Sequence, residues 1–105
     1  RDLIIVCSAD GRIQFASSAL ETVSGVRPED RVGGSVFERL HPDDAARARS
    51  HIGRLVQDAS RGVSTRLELR LASAAGGWRW IECTAANLLG HPAVSGIVLN
   101  CRDVT

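Results

Sequence analysis

The chain has 105 residues, 44% of them hydrophobic, which suits one compact domain with one core and excludes general disorder. Its formal net charge is +1, and all 13 basic residues are arginine, so no electrostatic case arises for a nucleic-acid or membrane-surface role. The longest apolar run, Leu3 to Cys7, is far too short to span a bilayer, and no secretory leader opens the chain. With no methionine anywhere, Arg1 is not a natural start. The expectation is a single domain, residues 1–105, cut from a larger cytoplasmic protein. Three cysteines, Cys7, Cys83 and Cys101, form an odd set without CxxC spacing, which speaks against a disulfide framework and for a reducing compartment.

Leu3 to Cys7 is a β-branched run ended by Ser8-Ala9-Asp10-Gly11, and Asp-Gly predicts a type I′ hairpin. Arg12 to Ala16 then alternates, with Ile13 and Phe15 expected on one face. Ser17 or Ser18 is placed to cap a short helix holding Leu20 and Val23, which Gly25 ends. Pro28-Glu29-Asp30 suits another helical turn, and Ser35 a third that carries Val36, Phe37 and Leu40.

Pro42-Asp43-Asp44 opens the one substantial helix, its acids favouring the N-terminus by roughly 1 kcal/mol. Ala45, Ala48, Ile52, Leu55, Val56 and Ala59 recur at helical spacing, with Asp44, Arg47, His51, Arg54 and Asp58 opposite them. Val63 to Leu71 alternates as a strand with Leu67, Leu69 and Leu71 on one side. Ala74-Ala75-Gly76-Gly77 is a turn, Trp78 to Leu89 a longer strand, and Gly96 to Val104 the last strand. Antiparallel strands with helices segregated in mid-sequence predict an α+β fold whose helices cover one sheet face.

This order of elements resembles the PAS family over nearly the whole chain. The motifs that carry the resemblance are Asp10-Gly11-Arg12-Ile13, Leu40-His41-Pro42-Asp43-Asp44, Trp78-Arg79-Trp80-Ile81-Glu82 and the closing Arg102-Asp103-Val104-Thr105. Each is weak alone; their order and spacing make them specific. One departure is Ser17, where many relatives have Asn. The resemblance implies a five-stranded antiparallel sheet in order 2-1-5-4-3, with short helices and one longer helix over one face and a small cavity beneath them. It also implies a sensory module of a bacterial signal-transduction protein, such as the input domain of a histidine kinase or cyclase. Such a module relays a ligand event to an output domain in the same chain. It is not itself an enzyme, and no nucleophile elbow, phosphate loop or metal motif appears.

The expected cavity walls are Phe15, Phe37, Leu40, Ile52, Val56, Leu67, Leu69, Ile81, Ile97 and Leu99. A small apolar or organic-acid ligand would fit such walls, while an ordinary filled core accounts for the same residues and leaves a pure dimerisation module as the alternative. The cofactor stays unknown. Haem-binding members use a histidine on the long helix, but His51 falls among charged residues on the face expected toward solvent. Flavin-adduct chemistry needs a cysteine in a helical Asn-Cys-Arg-Phe motif, and Asn100-Cys101-Arg102 mimics part of it on a strand.

Three Cys and three His without ligand spacing predict no metal site. Cys83 and Cys101 lie where a short hairpin through 90–95 brings them into register, either as a redox pair or as two small core residues. Trp78 and Trp80 alternate with Ile81 and Cys83, so they are expected on the outer sheet face, as a homodimer or flanking-helix surface or packed against arginines. Asp103 and Thr105 stand at the handover to the output and are the expected coupling residues.

Overall fold

The computed structural model describes residues 2–58, 63 and 66–105. The elements are β1 (Asp2–Cys7), β2 (Ile13–Ala16), α1 (Ala19–Ser24), a 3₁₀ turn over Pro28–Asp30, α2 (Pro42–Gln57), β3 (Leu67–Ala72), β4 (Trp78–Leu88) and β5 (Gly96–Asp103). All strand neighbours are antiparallel, in the order β2-β1-β5-β4-β3. The fold is therefore the α+β sheet expected above. Ala59 and most of the 59–65 stretch, where an earlier start of β3 was expected, lie outside the described residues, although Val63 pairs with Ala86.

The first hairpin departs from the sequence reading. A type I′ turn needs positive φ at both central residues. Here Gly11 alone in the turn has it, at 86°. The Gly11 N–H bonds the Ser8 carbonyl, and the Ser8 N–H bonds the Arg12 carbonyl, each at 2.9 Å. The register then slips: Val6 pairs with Phe15 but Cys7 with Ile13, so Gln14 is left over. A bulge of this kind breaks the alternation. Ile13 is buried under the helices, whereas Phe15 is turned to the outer face and 51% exposed. The expectation of a shared face for Ile13 and Phe15 is thus corrected.

Helix α1 ends as expected at Gly25, which is left-handed, but no serine side chain caps its start. Ser17 instead pins the helix approach to β1. Its Oγ accepts the Ile4 N–H at 3.0 Å, and its own N–H donates to the Ile4 carbonyl at 2.8 Å.

Helix α2 starts on His41, whose Nδ1 accepts the Asp43 N–H at 3.2 Å, with Pro42 in the first turn. Ala48, Ile52 and Leu55 form its buried stripe. Near its end the Asn87 side-chain amide of β4 donates to the Leu55 carbonyl at 3.0 Å and ties the helix to the sheet. At its start Asp44 was expected toward solvent and is instead 2% exposed. The reason is that the first turn overhangs β3, the sheet's edge strand. Asp44 accepts four hydrogen bonds there: from the Arg70 backbone N–H (2.7 Å), Arg70 Nε (2.9 Å), Arg70 Nη2 (3.0 Å) and Arg47 Nη2 (3.1 Å).

These bonds hold the Asp44 carboxyl well below its ordinary 3.8, the Arg70 side chain contributing most. A carboxyl lowered on folding adds stability that is complete above its unfolded value and is lost as pH falls through its folded value. Asp44→Ala should cost about 2 kcal/mol in urea unfolding at neutral pH, because the Arg70 backbone N–H at the strand edge and the Arg70 and Arg47 side chains lose their acceptor. Between neutrality and strong acid, wild-type stability should fall below about pH 4 more steeply than that of Asp44→Asn. Equal acid slopes for the two proteins would refute the assignment.

Candidate ligand cavity

Alternation along the strands sends one set of side chains from each strand toward α2. Ile5 of β1, Leu69 of β3, Ile81 and Ala85 of β4 and Leu99 of β5 form a floor. Ala48, His51 and Ile52 of α2 form a roof. Val36, Phe37 and Leu40 of the preceding turn close one side. The space between is about 60 Å³ with an apolar accessible wall. That is well below the roughly 300–1,000 Å³ of a drug-sized site, yet enough for several water-sized groups.

Phe37 is the most constrained wall. Its ring lies under the Arg49 guanidinium, 4.5 Å from the ring centroid. Below it sits Gly11, where an added Cβ would stand 2.5 Å from a ring carbon. Glycine is therefore required at residue 11 both for its positive φ and for the approach of the ring.

Of the expected walls, Phe37, Leu40, Ile52, Leu67, Leu69, Ile81 and Leu99 come together around this space. Phe15 does not, because of the bulge that turns it outward. Ile97 is fully buried but away from the cavity, and Val56 packs against the core beside it. His51 is corrected too. It is half-buried and borders the cavity, because it stands three residues after Ala48 and next to Ile52 on the rim of the buried stripe. Among the described residues no group of three or more His, Cys, Asp or Glu is placed to hold a metal ion. The sequence reading missed Ala48 and Ala85, since it sought large walls, while a cavity forms where small side chains leave room.

Cys83 and Cys101 also line the floor. They are direct register partners across β4 and β5, with 2.6 Å between their sulfurs. Both are free thiols, and the hydrogen bond with Cys101 together with burial raises the Cys83 pKa. Cys7 is fully buried on β1, and burial pushes its thiol up to about 11.

At the end of β5 the chain is tied back to β4. The Asp103 carboxylate pairs with Arg79, and its Oδ1 accepts the Thr105 N–H at 2.9 Å. Thr105 Oγ1 accepts the Trp80 N–H at 2.9 Å, and the Val104 N–H donates to the Trp80 carbonyl at 2.9 Å. The Thr105 N–H and then Arg79 lower the Asp103 carboxyl to about 2. Trp78 and Trp80 lie on the outer face, 44% and 40% exposed. Trp78 leans on the His41 ring at 5.1 Å, and Arg70 covers Trp80 at 5.1 Å.

A family model described as the PAS fold matches residues 13–96. No curated protein matches the chain in sequence. Among solved structures, the PAS domain of a protein from Colwellia psychrerythraea superposes with a TM-score of 0.82 at 26% identity, over 99% of this chain and 86% of that one. The Cronobacter turicensis RpfR quorum-sensing receptor PAS domain superposes at 18% identity over 99% of this chain and 94% of that one, with TM-scores of 0.78 in complex with BDSF and 0.79 in complex with C12:0.

Gly11→Ala should lower stability by about 2 kcal/mol, roughly a 10 °C fall in Tm, because strain at φ and the clash with Phe37 add. Gly33 has φ of 89° with nothing within 4 Å of an added Cβ, so Gly33→Ala measures the backbone penalty alone. Thermal unfolding of both variants checks this: an equal loss in the two would remove Phe37 from the explanation.

Proposed function

The chain belongs to the PAS family, and from that membership we propose that it is a sensory input module which admits a small apolar ligand beneath α2 and relays its presence to a downstream output domain. PAS domains are sensory, and the apolar cavity between sheet and helix carries this reading. The apolar wall supports that ligand class, as does the RpfR domain, which was solved in complex with C12:0. A chain-like acid suits apolar walls along its tail. At about 60 Å³ the cavity takes only part of such a chain, so a longer ligand must displace Leu40 or Leu67, both only half-buried. We place the domain in the cytoplasm of a bacterial cell as one unit of a larger protein. None of its described helices is long and apolar enough to cross a membrane.

The relay would run along β5. Asp103 and Thr105 fasten its end to Arg79 and Trp80, and ligand binding must favour one arrangement of that lock over another. A preference of about 1.4 kcal/mol shifts the equilibrium tenfold.

A second reading, a dimerisation module with a filled core, draws on the smallness of the cavity and on the exposed Trp78 and Trp80. Titration calorimetry with saturated acids up to dodecanoic acid separates the two, run alongside a subunit mass by light scattering. The sensor reading expects binding to wild type and at least about a tenfold loss in Ala48→Phe, whose ring fills the cavity at a cost near 1–3 kcal/mol of stability. No binding at any chain length, with a dimer that Trp80→Ser dissociates, would establish the second reading instead.

Within the parent protein, Asp103→Ala should abolish ligand-dependent output while ligand affinity changes by no more than about twofold. Unchanged regulation in that variant would end the coupling argument.

A further inference from the structure

We propose that Cys83 and Cys101 are a reversible oxidation site: a dithiol in the cavity floor that a hydroperoxide converts to a cross-strand disulfide.

The register carries the geometry. Cys83 and Cys101 stand directly opposite each other on β4 and β5. Opposed residues on antiparallel strands have Cα atoms about 4.5–5.5 Å apart, inside the range of about 4.4–6.8 Å that a disulfide spans. The sulfurs lie 2.6 Å apart, and bond formation needs no movement of either strand. Both residues point to the same side of the sheet, and both line the cavity, which gives a small peroxide a way to them. Cys7 is the built-in contrast. Cys101 is nearly as buried, at 2% exposed against 0%, but Cys7 on β1 is not among the cavity residues.

The chemistry balances with one hydroperoxide per pair. The Cys101 sulfur, which accepts the Cys83 S–H, attacks one peroxide oxygen. The O–O bond breaks, a sulfenic acid forms on Cys101, and its former proton leaves with the other oxygen as water, or as an alcohol from an organic hydroperoxide. The Cys83 sulfur then attacks the Cys101 sulfur. The S–S bond forms as the S–O bond breaks, and the departing hydroxyl takes the Cys83 proton as a second water. Two thiols are oxidised and one peroxide is reduced. An external dithiol reverses the product through a mixed disulfide and becomes oxidised itself. The bond to Cys101 and burial hold the Cys83 proton on its sulfur until an oxidant arrives.

The sequence makes the test clean. Trypsin cuts after Arg79 and Arg102 and finds no lysine or arginine between them, so both cysteines fall on one peptide, 80–102, and Cys7 falls on peptide 2–12. The folded wild-type protein is exposed to hydrogen peroxide, alkylated in denaturant with N-ethylmaleimide, digested and weighed. The expected result is an 80–102 peptide lacking two hydrogens and carrying no alkyl group. Dithiothreitol should return it to the doubly alkylated form, and the 2–12 peptide should stay alkylated throughout. A doubly alkylated 80–102 peptide at every exposure would overturn the proposal. So would sulfinic or sulfonic acid as the first stable product on either cysteine. In Cys83→Ala the remaining thiol should stop at a sulfenic acid trapped by dimedone, and an inert Cys101 there would equally count against it. The measurement needs no ligand and stands apart from the sensory reading.

Discussion

The covering of the β3 edge is the constraint on which the other features rest. An edge strand presents alternate N–H and C=O groups with no strand to receive them. Here the segment before α2 and the first turns of the helix receive them. The Ala72 N–H bonds Arg39, the Arg70 carbonyl accepts from His41, the Arg70 N–H bonds Asp44, and the Glu68 carbonyl accepts from Arg47. Each bond is modest alone, but all lie on one side of one strand and fix where α2 begins. With its start fixed at the edge and its Leu55 carbonyl held by Asn87, the helix has one course across the sheet. The roof of the cavity is therefore set by polar contacts at its two ends, and the apolar stripe between them need not fill the space completely.

That freedom shows in the side chains facing each other. Ala48 on the helix and Ala85 on β4 are small where a tightly filled core would place leucine or isoleucine, and the cavity lies between such positions. Natural interiors are normally packed near crystal density, and a void costs dispersion contacts on every wall. A void lined by Leu69, Ile81 and Leu99 is apolar, so the group best able to recover those contacts is itself apolar. The same reasoning explains the care taken over Phe37, which Gly11 and Arg49 hold on opposite sides. A loosely held ring would simply fall in and fill the gap.

Much of this was legible in the sequence, and the failures have physical causes. Leu67, Leu69 and Leu71 show their inward face by simple alternation, because β3 is regular along its described length. The hairpin register that sets Cys83 against Cys101 follows from a short connection between two strands of known direction. Phe15 was misplaced because a bulge is a one-residue slip that alternation cannot register. Asp44 was misplaced for a different reason. Helical periodicity separates an apolar face from a polar one, but it does not say that the polar face of the first turn meets a strand edge in place of water. His51 sat at the boundary between the two faces, where a rotation of a few tens of degrees decides the outcome.

In the proposed relay, the strand β5 joins these parts. Its inward residues run Ile97, Leu99, Cys101 and Asp103 at a period of two, so core, cavity floor and terminal lock lie in one row. Leu99 and Cys101 touch the cavity; Asp103, two residues beyond Cys101, holds Arg79 and the Thr105 N–H. A strand moves as a stiff unit when both its neighbours hold it: β1 pairs with residues 97–102 of β5, and β4 with Gly96–Asp103. A shift forced at Leu99 by an occupant would not have to travel through loops or a second domain. It would reach Asp103 across about four residues of extended chain, roughly 13 Å. The lock there is an ion pair partly open to water, worth on the order of 1 kcal/mol, and that is the scale of preference a small ligand can supply.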